Sequence, residues 1–236
     1  MTVDVTVTLI DQIEHVPRTL KFIGTHQCMA LDLEGVSLGR SGQITMLQIA
    51  TSASNVISFD ILKLGPKVFP LLQPILEDPS KFKLCYDARC DADALYHNHG
   101  ISLRGIIDIQ VMYTIVYQHP TDPYLKGLSH TLAMPGVVEA RYLDGVLRCK
   151  IAGKNNMKLQ GHRIFTKRPL SLQVLQYCAL DVIYLFPMYA QWAPLCDINY
   201  ILFLSRWRCC AYVSGSAAEI KARIMSIVDF DQRLFF

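Results

Sequence analysis

Carboxylates that share one face are the residues of this chain best suited to chemistry. Two adjacent negative charges repel unless a cation sits between them. Asp32 and Glu34 stand two apart in the apolar run Cys28-Met29-Ala30-Leu31-Asp32-Leu33-Glu34. Side chains alternate along a strand, so both point the same way. The pair either holds a cation or marks a strand running out into solvent. In Leu175-Gln176-Tyr177-Cys178-Ala179-Leu180-Asp181-Val182, Tyr177 and Asp181 are four apart and stack on one helix face. The apolar neighbours bury Asp181 in part, and a buried carboxylate needs a partner; a surface Tyr–Asp pair is the plainer alternative. Asp91 opens a third element, where the helix dipole alone accounts for an acid, as it does for Asp87 and Asp93.

Other candidates for chemistry are weaker. The eight cysteines (28, 85, 90, 149, 178, 196, 209 and 210) contain no C-x-x-C pair, so they read as reduced, mostly buried thiols rather than as a zinc site. His97, His99 and His130 fit helix ends or surface better than a general base. Gly39-Arg40-Ser41-Gly42 lacks the spacing and lysine of a phosphate loop and reads as a turn. Charge is more telling. The net charge is +3, yet residues 145–180 contain no acid and seven bases, Arg148, Lys150, Lys154, Lys158, Arg163, Lys167 and Arg168. Such a block is either a solvated loop or an arm that meets phosphates.

The elements that must position these residues follow from periodicity. Strands are predicted over residues 3–10, 28–34, 44–50, 56–60, 83–86 and 106–108. Helices are predicted over residues 12–23, 66–76, 88–99 (ended by Gly100), 109–118, 124–132 and 170–189, with the basic block between the last two. A meander followed by alternating strands and helices predicts an α/β fold with a mixed sheet. Residues 1–193 form the predicted main domain and 194–236 a C-terminal helical extension. In the extension Ser216 and Glu219 make a capping box ahead of Ile220 and Ile224. The extension either docks on the core or leaves an apolar helix pair exposed as a homodimer or protein-partner face.

In order and context, these motifs resemble those of the DEDD 3′-5′ exonucleases, tyrosine subclass. The chain resembles the ribonuclease D-like branch, which includes the exonuclease domain of the Werner syndrome helicase. The resemblance covers residues 7–189. It includes Ile44-Thr45-Met46-Leu47-Gln48-Ile49-Ala50 and Ser58-Phe59-Asp60-Ile61 as strands, Gly127-Leu128, and Arg168-Pro169-Leu170-Ser171 ahead of the tyrosine helix. It implies a ribonuclease H-like mixed sheet flanked by helices. It also implies that Asp32, Glu34, Asp91 and Asp181 ligate two divalent cations, Mg²⁺ or Mn²⁺, with Asp32 bridging and Asp91 acting through water. Tyr177 would orient the attacking water. The chain departs from the family with Tyr86 in place of the usual His, Cys90 in place of Asn, and Phe165 in place of Trp. No metal ligand is among the departures. The family's eukaryotic single-domain branch includes members that have lost catalysis and serve as RNA-binding adaptors.

The expected function is therefore a metal-dependent 3′-5′ exonuclease acting on single-stranded nucleic acid, RNA over DNA, and releasing nucleoside 5′-monophosphates. Lys150, Lys154, Lys158, Arg163, Lys167 and Arg168 would hold the strand. The alternative is a non-catalytic RNA-binding adaptor, whose mark would be loss of a carboxylate. A hydrophobic content of 51% argues against disorder. No apolar run reaches the roughly 20 residues of a membrane span, so no membrane partner is expected. Asp4, Asp11 and Glu14 precede the first lysine or arginine, Arg18, the reverse of a presequence. An intracellular protein, cytoplasmic or nuclear, is expected.

Overall fold

A computed structural model describes residues 5–119, 122 and 124–216 of the chain. Six strands lie in one mixed sheet: β1 (Thr6–Ile10), β2 (Cys28–Val36), β3 (Gln43–Ser52), β4 (Asn55–Asp60), β5 (Phe82–Cys85) and β6 (Ile106–Asp108). Their order is β1-β4-β3-β2-β5-β6. The meander β2, β3, β4 is antiparallel, as its short connections require. The remaining strands join in parallel, β1 beside β4 and β5 and β6 beyond β2. Helices cover both faces: α1 (Val16–Gly24), α2 (Ile61–Leu64), α3 (Phe69–Leu76), α4 (Arg89–His99), α5 (Ile109–Tyr117), α6 (Leu128–Leu132), α7 (Ala140–Gln160), α8 (Leu172–Ile183), α9 (Leu185–Trp192) and α10 (Ile198–Ser214).

The two-residue alternation of the strands divides the interior into two cores. Met29, Leu31, Leu33, Leu47, Ile49, Ile57 and Phe59 pack against α1, α3 and α4. Ala30, Ala50, Val56 and Leu84 pack against α5, α8 and α9. Asp32, Glu34 and Gln48 continue the face of Ala30 and Ala50 toward Met46, which packs with Tyr177 and Cys178 of α8 in a third, smaller cluster, so the acids point toward the side that α8 covers. Side-chain caps fix where several helices start. Asp108 accepts from Gln110 N at α5, Ser171 from Val174 N at α8, and Asp197 from Asn199 N at α10.

Helix α10 lies on α4 and β6 and turns its apolar side inward, burying Ile201, Leu204 and Cys209 in the two cores. Arg208 donates to Asp108 at 3.2 Å, and Arg40 reaches the Tyr212 carbonyl at 2.9 Å. Leu195, just ahead of α10, and Phe203 on its outer side stay exposed. Glu219, Ile220 and Ile224 of the expected second helix lie outside the described residues, as do the first residues of the strand expected over 3–10.

Three elements differ from expectation. The basic block is no loop over its first half, because residues 140–160 form the 21-residue helix α7. The helix expected over residues 124–132 exists only from Leu128. Ahead of it, side chains hold the backbone: Gln118 donates to the Tyr124 carbonyl, and Tyr86 and Gln110 donate to that of Lys126. The helix expected over 170–189 is two helices. Pro187 has no N–H for the Ile183 carbonyl, and the chain bends at Tyr184.

Candidate active site

Strand β2 and helix α8 bring together acids far apart in sequence. Asp32, Glu34 and Asp181 are half-buried, and each offers a carboxylate oxygen within 4.8 Å of the other two. The register explains the strand half of this: Asp32 lies opposite Gln48 and Glu34 opposite Met46, the face on which α8 crosses. A bulge follows at Glu34/Gly35, bending β2 just past its second acid. A Cβ at Gly35 would lie 2.1 Å from the Gln43 carbonyl oxygen, so only glycine fits there. Asp91 is buried on α4 with 5% exposure. It lies outside the group of three, and among the acids it is Asp32 that acts on it most strongly.

Burial and mutual repulsion set the electrostatics. Burial first, then a neighbouring carboxylate, pushes Asp32, Glu34 and Asp91 well above the ordinary carboxylate range. The neighbour is Asp181 for Asp32, and Asp32 for the other two. Burial also raises Asp181, with Lys150 opposing the rise. The Tyr177 phenol is raised by burial and by Asp181, so it remains a neutral hydroxyl on the same helix face.

The basic residues divide into two groups. Lys154, Lys158, Arg163 and Lys167 are exposed; Lys154 donates to Ser129 Oγ at 2.9 Å and Lys167 to Gln160. The other two are not where a phosphate-binding arm needs them. Arg168 grips the fully buried Asp60 with two hydrogen bonds of 2.6 and 2.7 Å. That pair ties the approach to α8 onto β4. Lys150 is buried, with 2% of its side chain exposed, and its ammonium donates to Asp181 Oδ1. It also lies 3.4 Å from the centre of the Tyr177 ring. A buried acid on the neighbouring helix accounts for its departure from the surface.

The histidines stay out of the cluster. His130 bonds the Tyr113 hydroxyl at 2.9 Å, His97 the Val213 carbonyl at 3.0 Å, and His99 stacks on Phe69. Of the departures, Tyr86 donates to the Lys126 carbonyl and Cys90 meets the Tyr212 hydroxyl, while Phe165 is buried with Met46, Tyr177 and Cys178.

Sequence reasoning missed Gly153 and Gln48 as site neighbours and placed Lys150 with the strand-holding cations rather than on Asp181. Lys150 was one of seven similar cations. Gly153 gave no signal, yet the Tyr177 ring packs directly against it, and a Cβ there would be 2.1 Å from Tyr177 Cδ2. Gln48 is fully buried opposite Asp32, and neither of its amide atoms nor the neighbouring Ser58 Oγ has a hydrogen-bond partner. A glutamine in an otherwise apolar strand was the available cue. Asp181 Oδ2 is likewise buried without a partner. Hard oxygen donors converging with an open lone pair fit a divalent cation.

A family model described as 3′-5′ exonuclease matches residues 7–195. The piRNA biogenesis protein EXD1 of Xenopus laevis is 27% identical over 229 residues, 96% of this chain and 51% of that protein. The mouse EXD1 is 31% identical over 192 residues, 78% of this chain and 32% of that protein. The chain thus spans from a third to a half of these relatives. Among solved structures, Trypanosoma brucei RNase D in complex with RNA U12 superposes with a TM-score of 0.73 at 24% identity, covering 89% of this chain and 71% of that one. Escherichia coli RNase D does so with 0.70 at 19%, covering 91% and 52%. These likenesses show a ribonuclease H-like fold. Among the described residues no helix is long and apolar enough to cross a membrane.

Proposed function

The chain belongs to the 3′-5′ exonuclease domain family, and on that premise we propose that it hydrolyses phosphodiester bonds from the 3′ end of single-stranded nucleic acid, RNA in preference to DNA. One observation carries the reading: three carboxylates from β2 and α8 converge beside a neutral tyrosine hydroxyl. Asp32, Glu34 and Asp181, with Asp91, would hold two divalent cations, Mg²⁺ or Mn²⁺. Such ions supply an activated water and neutralise the departing 3′ oxygen. Tyr177 holds the attacking water by its hydroxyl. The exposed Lys154, Lys158, Arg163 and Lys167 hold phosphates of the strand. The RNA preference draws on the RNase D resemblance and on relatives named for piRNA biogenesis.

A labelled single-stranded oligonucleotide, RNA or DNA, incubated with Mg²⁺ or Mn²⁺ tests this. The expected result is a ladder shortened from the 3′ end with release of nucleoside 5′-monophosphates, faster on RNA and abolished by Asp32→Asn. A second reading, an RNA-binding protein without catalysis, is favoured by the lysine seated on Asp181. Intact RNA that nonetheless binds the chain would establish that reading over the first.

A further inference from the structure

Lys150 brings a positive charge into the carboxylate cluster from the protein itself. It enters from α7, is buried to 98% of its side chain, and donates to Asp181 Oδ1 while capping the Tyr177 ring. The helix that carries it is pressed onto α8. One turn beyond Lys150, Gly153 lies so close to the Tyr177 ring that no Cβ fits. Lys154, one turn away in α7, shows the alternative: it is exposed and bonds Ser129 instead. The ammonium therefore occupies a built position within the site.

An ammonium and a divalent ion on one carboxylate repel each other, and burial removes the water and salt that would screen them. We propose that Lys150 is a tethered counter-cation that competes with a divalent ion for Asp181, making it the positioning residue that sets how tightly this site holds metal. The inference rests on the reading of Asp32, Glu34 and Asp181 as metal ligands. It assigns Lys150 a role distinct from that of the exposed lysines, which face the strand. Replacing it with a neutral side chain leaves all carboxylate oxygens free for metal, whereas arginine keeps the charge.

The test is calorimetric titration of Mn²⁺ into the full chain without nucleic acid, for wild type, Lys150→Met, Lys150→Arg and Lys154→Met. Lys150→Met should tighten Mn²⁺ binding by about tenfold or more. Lys150→Arg and Lys154→Met should stay within about threefold of wild type. Equal affinities for wild type and Lys150→Met would overturn the inference and leave the metal site standing. Equal tightening by Lys154→Met would also overturn it, since any lost positive charge would then suffice. Absence of Mn²⁺ binding by every variant at millimolar concentration would overturn the metal reading itself, and this inference with it. Circular dichroism checks folding, and Lys150→Gln serves as the neutral variant if Lys150→Met does not fold.

Discussion

Gly153→Ala sets two physical effects against each other at a position where their signs differ. In a helix interior alanine is favoured over glycine by roughly 1 kcal/mol, so propensity predicts a more stable α7. The packing predicts the reverse. The new Cβ would lie 2.1 Å from Tyr177 Cδ2, 2.5 Å from Cε2 and 2.9 Å from Cγ, against ordinary carbon contacts of about 3.5–4.0 Å. The ring must retreat by more than roughly 1 Å, yet Met46, Ile164, Phe165 and Cys178 are buried in the cluster it belongs to. Overpacking of this kind costs about 1–3 kcal/mol, and an overlap this deep belongs at the upper end. The net change should be a loss of about 2 kcal/mol, or about 4–8 °C in Tm for a chain of this size. Urea unfolding of wild type, Gly153→Ala, Tyr177→Ala and the double variant measures it. In the Tyr177→Ala background the Gly153→Ala step should turn neutral or stabilising by up to about 1 kcal/mol. A Gly153→Ala chain more stable than wild type would refute the close apposition of α7 and α8.

Three further outcomes follow from the same geometry. Without divalent ions, stability should fall as pH rises. Asp32, Glu34 and Asp91 have folded-state pKa values raised above the ordinary 3.8 and 4.5. The folded chain therefore keeps protons that the unfolded chain has released, and the penalty grows from about pH 4 up to the raised values. Denaturation across pH should show a shallower slope for Asp32→Asn, and an equal slope would place the repulsion elsewhere. Arg168→Met should cost on the order of 3 kcal/mol by leaving the buried Asp60 uncompensated. The salt dependence of RNA binding should stay unchanged in that variant; a lowered slope would return Arg168 to the phosphate-binding set. Joint replacement of Lys154, Lys158 and Lys167 by Gln should lower the salt slope of single-strand binding by up to about 2 units, at about 0.7 per phosphate contact. An unaltered slope would make these lysines ordinary solvated surface.

Much of the site was legible in the chain because local periodicity dictates it. The two-residue repeat of β2 puts Asp32 and Glu34 on one face, and the four-residue spacing in α8 stacks Tyr177 on Asp181, whatever surrounds them. The strands of the meander and the ending of α4 at Gly100 were likewise carried by short stretches of sequence, whereas the caps at Asp108 and Ser171 emerged only with the structure. Helix α7 was not. Its two glycines, Gly145 and Gly153, weaken the helical pattern, and the reason for Gly153 is a tyrosine ring 24 positions later. Nor could sequence separate Lys150 from its six basic neighbours, or Arg168 from the strand-binding set. One is drawn inward by Asp181 and the other by Asp60, across 31 and 108 residues respectively. Whether a charge faces water or a buried partner depends on long-range neighbours. Intrinsic preference and periodicity act over a few residues, whereas desolvation and ion pairing are decided only when distant segments meet.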